Sequence, residues 1–214
     1  FKVMAYEEGG CLPEAMLNYL ARLGWSHGDD ELFSREQLVA WFDGSHLAKS
    51  PAQWDAAKLA WVNAQYIKQA SDERLAGLVA TQLQGRGVNG IEAGALAPMC
   101  SLFKDRCSTT VELADWLSMY FVAVRPSAED LAVHVTDAVR PALESLREQL
   151  SESAWDKAGI AAAFKAALAA HQLKMPQLAL PVRVLVCGRP QTPSIDAVLA
   201  LFPRDEVLAR LRTV

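Results

Sequence analysis

Lys174-Met-Pro-Gln-Leu-Ala-Leu-Pro-Val-Arg-Val-Leu-Val-Cys-Gly-Arg-Pro-Gln-Thr-Pro-Ser194 stands apart from the rest of the chain. It carries Pro176, Pro181, Pro190 and Pro193, and Val182, Val184, Leu185 and Val186 read as a short strand or extended segment. Thr192-Pro193 then reads as the cap of a helix over Ile195, Val198, Leu199 and Leu201. The stretch lies in a basic window. Between Asp156 and Asp196 there is no acidic residue, while Lys157, Lys165, Lys174, Arg183, Arg189 and His171 all fall there. In a chain of net charge −4 this local positive charge beside irregular backbone points to a polyanion partner. A solvated charged face is the alternative reading. The acidic total argues against a non-specific DNA coater and leaves room for RNA binding by a local patch.

Outward from this stretch, nearly every segment is an amphipathic helix. Pro13 suits a first helical turn, with Leu12, Met16, Leu17, Leu20 and Leu23 on one face and Gly24 as the stop. Ser34 and Gln37 spell a capping box, with Phe33 and Leu38 as its hydrophobic staple. Ser50-Pro51 reads as the start of a helix running to Ile67. Trp25, Trp41, Trp54 and Trp61 read as core aromatics. Ser71 caps a helix ending at Gly85, and Ile91–Leu102 is helical with Pro98 as a kink or restart. Thr109 and Glu112 spell a second capping box. Ser127 caps a further helix, Pro141 restarts it, and an Ala-rich helix spans Ala154 to about Gln172. Short loops between such helices predict an all-α fold.

At 214 residues, 51% of them apolar, the chain is long enough to bury a core. No run of apolar residues is long enough to span a bilayer, and Phe1–Glu8 is not a signal peptide. The sequence opens on Phe1 and reads as a fragment. Cys11, Cys100, Cys107 and Cys187 form no Cys-x-x-Cys pair, which points to reduced thiols and a cytoplasmic setting. No phosphate-cradling glycine loop, metal-ligand spacing or nucleophile signature occurs. Asp29-Asp30-Glu31 and His27 read as a solvated loop, and His134 as an ordinary helical histidine. No catalytic residue and no metal ligand is assigned.

Three blocks resemble the C-terminal part of the bacterial glutamyl-tRNA synthetases, class I aminoacyl-tRNA synthetases. They are Leu12–His27 with Phe33-Ser34, Lys58–Ile67, and Pro181–Gly188 with Thr192-Pro193-Ser194. The resemblance implies a multi-helix stem-contact domain at 1–70. After it comes an α-helical anticodon-binding cage in two subdomains, 71–128 and 129–214. It implies glutamate tRNA as partner, a catalytic domain missing upstream and ATP with Mg²⁺ as cofactors of the full enzyme only. It also implies a monomeric state and a cytoplasmic, membrane-free location.

The same resemblance implies anticodon-binding residues. Arg106, in the corner Leu102-Phe-Lys-Asp-Arg106, matches an arginine that reads the third anticodon base, a cytosine in glutamate tRNA. A guanidinium offers two parallel donors to a base edge. Pairing of Arg106 with Asp105 or Glu112 is the alternative. Arg183 matches the arginine of a Pro-Leu-Arg pattern near the anticodon. Thr192, Pro193 and Ile195 match residues around which unstacked bases splay. The helix start at Thr192-Pro193 would also offer free N–H groups. Lys165 stands where some relatives carry an arginine and is assigned a backbone contact. Two alternatives stay open: a helical protein-interaction scaffold without RNA binding, and a non-discriminating form that also charges glutamine tRNA.

Overall fold

The computed structural model describes residues 2–212. Thirteen α-helices and two 3-10 turns account for the regular structure among these residues, and the only bridge joins Trp25 to Leu47. The expected all-α class holds. The chain forms two compact units, Phe1–Trp116 and Leu117–Val214.

The first unit contains α1 (Val3–Glu8), α2 (Pro13–Gly24), α3 (Arg35–Trp41), α4 (Ala56–Gln69), α5 (Asp72–Gly85), α6 (Ala93–Phe103) and α7 (Thr110–Leu117), with a 3-10 turn at Lys104–Arg106. Helix starts follow the local chemistry. Ser34 accepts from the Gln37 N–H at 3.1 Å while the Gln37 side chain accepts from the Ser34 N–H at 2.8 Å. Ser71 caps α5. At α7 the box is shifted: Thr109 accepts from the Glu112 N–H, but the Glu112 carboxylate accepts from Ser108 rather than Thr109. Pro98 lies inside α6 without ending it.

α4 starts later than Ser50-Pro51 predicts. Asp55 is its cap, accepting from the Lys58 N–H, and its own N–H is taken by the Tyr19 hydroxyl at 2.7 Å. Trp54 is therefore in the irregular approach to the helix. Its ring lies against Tyr6 and Tyr19 but remains 45% exposed. Trp61 is 40% exposed, because α4 turns Leu59, Val62 and Ile67 inward and Trp61 sits off that stripe. Lys58 Nζ caps the Trp61 ring at 4.2 Å. Of the four tryptophans read as core, only Trp25 is buried, edge-on to Phe33 and Phe42.

Two buried asparagines organise this unit. Asn18 accepts from the Phe33 N–H and donates to the Glu31 carbonyl. Asn63 on α4 accepts from the Leu12 N–H at 2.8 Å and donates to the carbonyls of Gly10 (3.1 Å) and Ser108 (2.7 Å). Both side chains have hydrogen-bond partners, which is what allows polar groups to be buried at low cost.

The second unit contains a 3-10 turn at Ser118–Tyr120, α8 (Ala128–His134), α9 (Arg140–Glu152), α10 (Lys157–His171), α11 (Met175–Cys187), α12 (Ile195–Ala200) and α13 (Arg204–Leu211). The extended segment expected at Val182–Val186 is a helix. Pro176 occupies the first turn of α11, where no N–H is needed, and Pro181 is accommodated inside it. Leu178, Ala179, Val182, Val184, Leu185, Val186 and Cys187 are all buried, because α11 packs against α8, α9, α10 and α13, and Arg183 breaks the apolar run on its half-buried side. A run buried on most sides loses the periodicity that separates strand from helix. Gly188 ends α11 in the left-handed region (φ 77°). Arg210 on α13 donates to the Val186 carbonyl at 2.7 Å, and the buried Tyr120 hydroxyl donates to Val198.

Candidate nucleic-acid interface

The corner before α7 carries Arg106. Its backbone is fixed from several directions. Lys104 donates to the Ala70 carbonyl at 3.1 Å and pairs with Asp72 at 2.9 Å. The Cys107 N–H returns to the Lys104 carbonyl, Asn63 holds Ser108, and the Thr110 N–H donates to the Gly10 carbonyl at 3.0 Å. Gly10 has φ +84°, and a Cβ there would come within 2.8 Å of the Thr110 nitrogen. Only glycine fits this approach. Arg106 itself is exposed. Its guanidinium carbon is 6.0 Å from the centre of the Trp116 ring, which leans on the buried Phe103 at 5.3 Å.

In the second unit the structure brings Arg183 and Thr192 together. Arg183 is half-buried on α11, and its Nε donates to Thr192 Oγ1 at 3.0 Å. Thr192 in turn donates to the Pro193 carbonyl at 2.8 Å. The Arg183 Nη groups make no hydrogen bond to the described residues. Thr192 is thus a buried partner of Arg183, not the helix cap the sequence suggests, and the residue at the cap position of α12 is Ser194. Ile195 is 1% exposed and anchors α12 in the core, while Pro193 is half-buried.

The free N–H groups expected at this helix start are partly used. Asp196 accepts from the Ala197 N–H at 2.8 Å and from the Ser194 hydroxyl, placing a carboxylate where an anion was expected. Lys165 is exposed on α10, with no ion pair to the described residues. Lys157 and Lys174 are also exposed, and Arg189 is half-buried.

The four cysteines are free. Burial pushes the Cys100, Cys107 and Cys187 thiols up to about 12, and burial beside Glu14 pushes Cys11 up to about 11, which keeps all four protonated. Among the described residues no group of three His, Cys, Asp or Glu side chains is placed to hold a metal, and no helix is long and apolar enough to cross a membrane. His27 stacks on Trp41 at 4.1 Å and pairs with Asp30, so it serves packing.

Sequence reasoning missed Trp116, Gly10 and Asn63 as parts of the Arg106 corner. A signal for Asn63 was present: it is a lone amide on the apolar stripe of Leu59, Val62 and Ile67.

Arg106 and Arg183 thus stand in separate units of an all-α chain. The family model described as the anticodon binding domain matches residues 47–214, and the chain belongs to that family. A second model, the catalytic domain of the class I tRNA synthetases (E and Q), matches residues 1–61. The chain is 59% identical over 213 residues to the glutamate–tRNA ligase of Paracidovorax citrulli, covering 99% of this chain and 45% of that protein. It is 61% identical to that of Leptothrix cholodnii, covering 99% of this chain and 46% of that protein. The chain therefore spans less than half the length of these relatives. The fold is shared with a glutamate tRNA ligase from Elizabethkingia meningosepticum (TM-score 0.87, 22% identity, 96% of this chain and 41% of that one). It is also shared with the glutamate–tRNA synthetase of Elizabethkingia anophelis (TM-score 0.83, 24% identity, 96% of this chain and 41% of that one).

Proposed function

We propose that this chain is the tRNA-binding part of a glutamate–tRNA ligase, recognising the glutamate-tRNA anticodon for ATP-dependent attachment of glutamate. The observation that carries this reading is the 59–61% identity to such ligases over 99% of the chain, with an anticodon-binding family match over residues 47–214. In this reading residues 1–70 contact the tRNA stem, and 71–128 and 129–214 form the two anticodon subdomains. ATP and Mg²⁺ act in the full enzyme, and no described residue is given a part in glutamate activation. The chain works as a cytoplasmic monomer on this account.

Arg106 reads the third anticodon base through paired guanidinium donors, and Trp116 offers its ring beneath. Arg183 contacts the anticodon through its Nη groups while Nε stays on Thr192. Pro193 presents a face on which a base can pack, and Ile195 supports that loop from the core. Lys165 contributes a phosphate contact from α10.

The test is fluorescence anisotropy with a glutamate-tRNA anticodon stem-loop at low and high salt, with C and then G at the third anticodon position. Affinity should fall as salt rises and should favour C, by about tenfold for one good bidentate contact. Equal binding to both loops would identify a non-discriminating form. Absence of binding to the loop and to whole tRNA at low salt would remove the reading.

A further inference from the structure

We propose that Asn63 is a positioning residue for the Arg106 corner. Its buried carboxamide sets where Arg106 stands relative to the base it reads. The inference rests on the anticodon reading of Arg106 and concerns a residue that itself touches no RNA.

Asn63 is 1% exposed, and its carboxamide makes three bonds. Oδ1 accepts from Leu12, and Nδ2 donates to Gly10 and to Ser108. Both amide hydrogens are therefore directed at carbonyls, one on each of two distant chain segments. The Gly10 carbonyl also accepts from the Thr110 N–H, so five residues close a ring: Asn63, Gly10, Thr110, Thr109 and Ser108. Ser108 lies two residues after Arg106. From Cys107 to α7 the chain has little freedom, since the Cys107 and Thr110 side chains are buried and Glu112 holds the Ser108 N–H. The direction in which the Lys104–Arg106 turn leaves the surface is thereby tied to α4 through the Asn63 side chain, beside the Lys104 bond to Ala70 at the end of that helix. A base edge is discriminated only when both donors of a guanidinium reach it together, so a shift of about an ångström at the corner weakens the reading more than it weakens general RNA binding.

The same geometry supplies a control. Asn18 is equally buried at 1% and also has three polar partners: the Glu31 carbonyl, the Phe33 N–H and the Tyr66 hydroxyl. None of these belongs to the corner. Replacing either asparagine by Ser removes a buried amide of the same kind, so the two variants should lose similar stability. Only one of them releases the corner.

The experiment measures binding of the 214-residue chain to the C-bearing and G-bearing stem-loops for wild type, Asn63→Ser, Asn18→Ser, Gly10→Ala and Arg106→Gln. It adds the double variant Asn63→Ser with Arg106→Gln, and thermal melting of each. Asn63→Ser should lower the C-over-G preference at least about threefold, Asn18→Ser should leave it unchanged, and the double variant should match Arg106→Gln. Gly10→Ala pushes on Thr110 from the other side of the ring and should lower the preference too, which keeps the test usable where Asn63→Ser folds poorly. A full wild-type preference in Asn63→Ser or in a folded Gly10→Ala would overturn the clamp and leave the anticodon reading intact. Equal losses in Asn63→Ser and Asn18→Ser would also overturn it, as a mere stability effect. A wild-type chain that binds RNA without preferring C overturns the assignment of Arg106, and the clamp with it.

Discussion

Arg106 stands on an exposed 3-10 turn whose backbone is tied down by Lys104, Asn63 and Gly10, whereas Arg183 rises from an enclosed helix and is tied by its own Nε to Thr192. The first arginine is placed by its chain and the second by its side chain. The contrast sets what each can do. A guanidinium held through Nε offers its two Nη groups in a fixed plane, at the cost of losing one donor. A guanidinium on a rigid turn takes its direction from the turn. Damage should therefore show differently. At the Arg106 corner it comes from backbone changes far away in sequence, and at Arg183 from a single hydroxyl nearby.

The largest effect expected is at the floor of the corner. Phe103 is fully buried beneath Trp116, and Phe103→Ala should cost about 3–5 kcal/mol in chemical denaturation and abolish the C preference in whatever folded fraction remains. A loss below about 1 kcal/mol would mean the corner is not built on this ring. Next comes Thr192→Val, which keeps shape but leaves the half-buried Arg183 Nε without its acceptor. A loss of about 1–2 kcal/mol in RNA binding is expected, with Thr192→Ser recovering most of it. If Val binds as well as Thr, the Arg183 side chain is not held by this bond when RNA is present.

Alkaline pH probes the cores rather than the arginines. The buried thiols stay protonated up to about 11 or 12 in the fold, while an exposed thiol ionises near 9.0. The unfolded chain then releases protons that the folded chain keeps. Stability from this source is whole below pH 9 and declines as pH rises from there toward 12. Denaturation midpoints should accordingly be lower at about pH 10 than at pH 8. A flat profile would show that the thiols open to solvent before global unfolding.

The smallest effect on stability is expected at Arg106 itself. It is exposed, so Arg106→Gln should leave the melting behaviour within about 0.5 kcal/mol of wild type while flattening the base preference. Arg106→Lys should flatten it nearly as far, because an ammonium cannot offer two parallel donors. Retention of the preference in the Lys variant would assign Arg106 to a phosphate.

Much of this molecule is legible in its sequence. The capping box at Ser34 and Gln37, the caps at Ser71 and Ser127 and the first-turn prolines at Pro13 and Pro141 are all where local chemistry places them. These features depend on groups three or four residues apart, and such distances are visible along the chain. The basic window and the residues carrying the family resemblance are equally local, and the family match confirms the resemblance.

Tertiary structure decided the rest. Val182–Val186 became helix where four other helices pack against it, and burial on most sides erases the periodicity a sequence reader relies on. Trp54 stayed half-exposed because it lies before α4, which starts at Asp55, and Trp61 because it sits off the buried stripe of Leu59, Val62 and Ile67. Thr192 reads as a helix cap until Arg183, nine positions earlier, is seen to take its hydroxyl oxygen. Asn63 reaches Gly10 and Ser108 across 53 and 45 positions, and no local rule extends so far. Helix identity and charge follow from neighbours in the chain. The direction in which an arginine points follows from which distant carbonyls a buried amide can satisfy, and packing alone settles that.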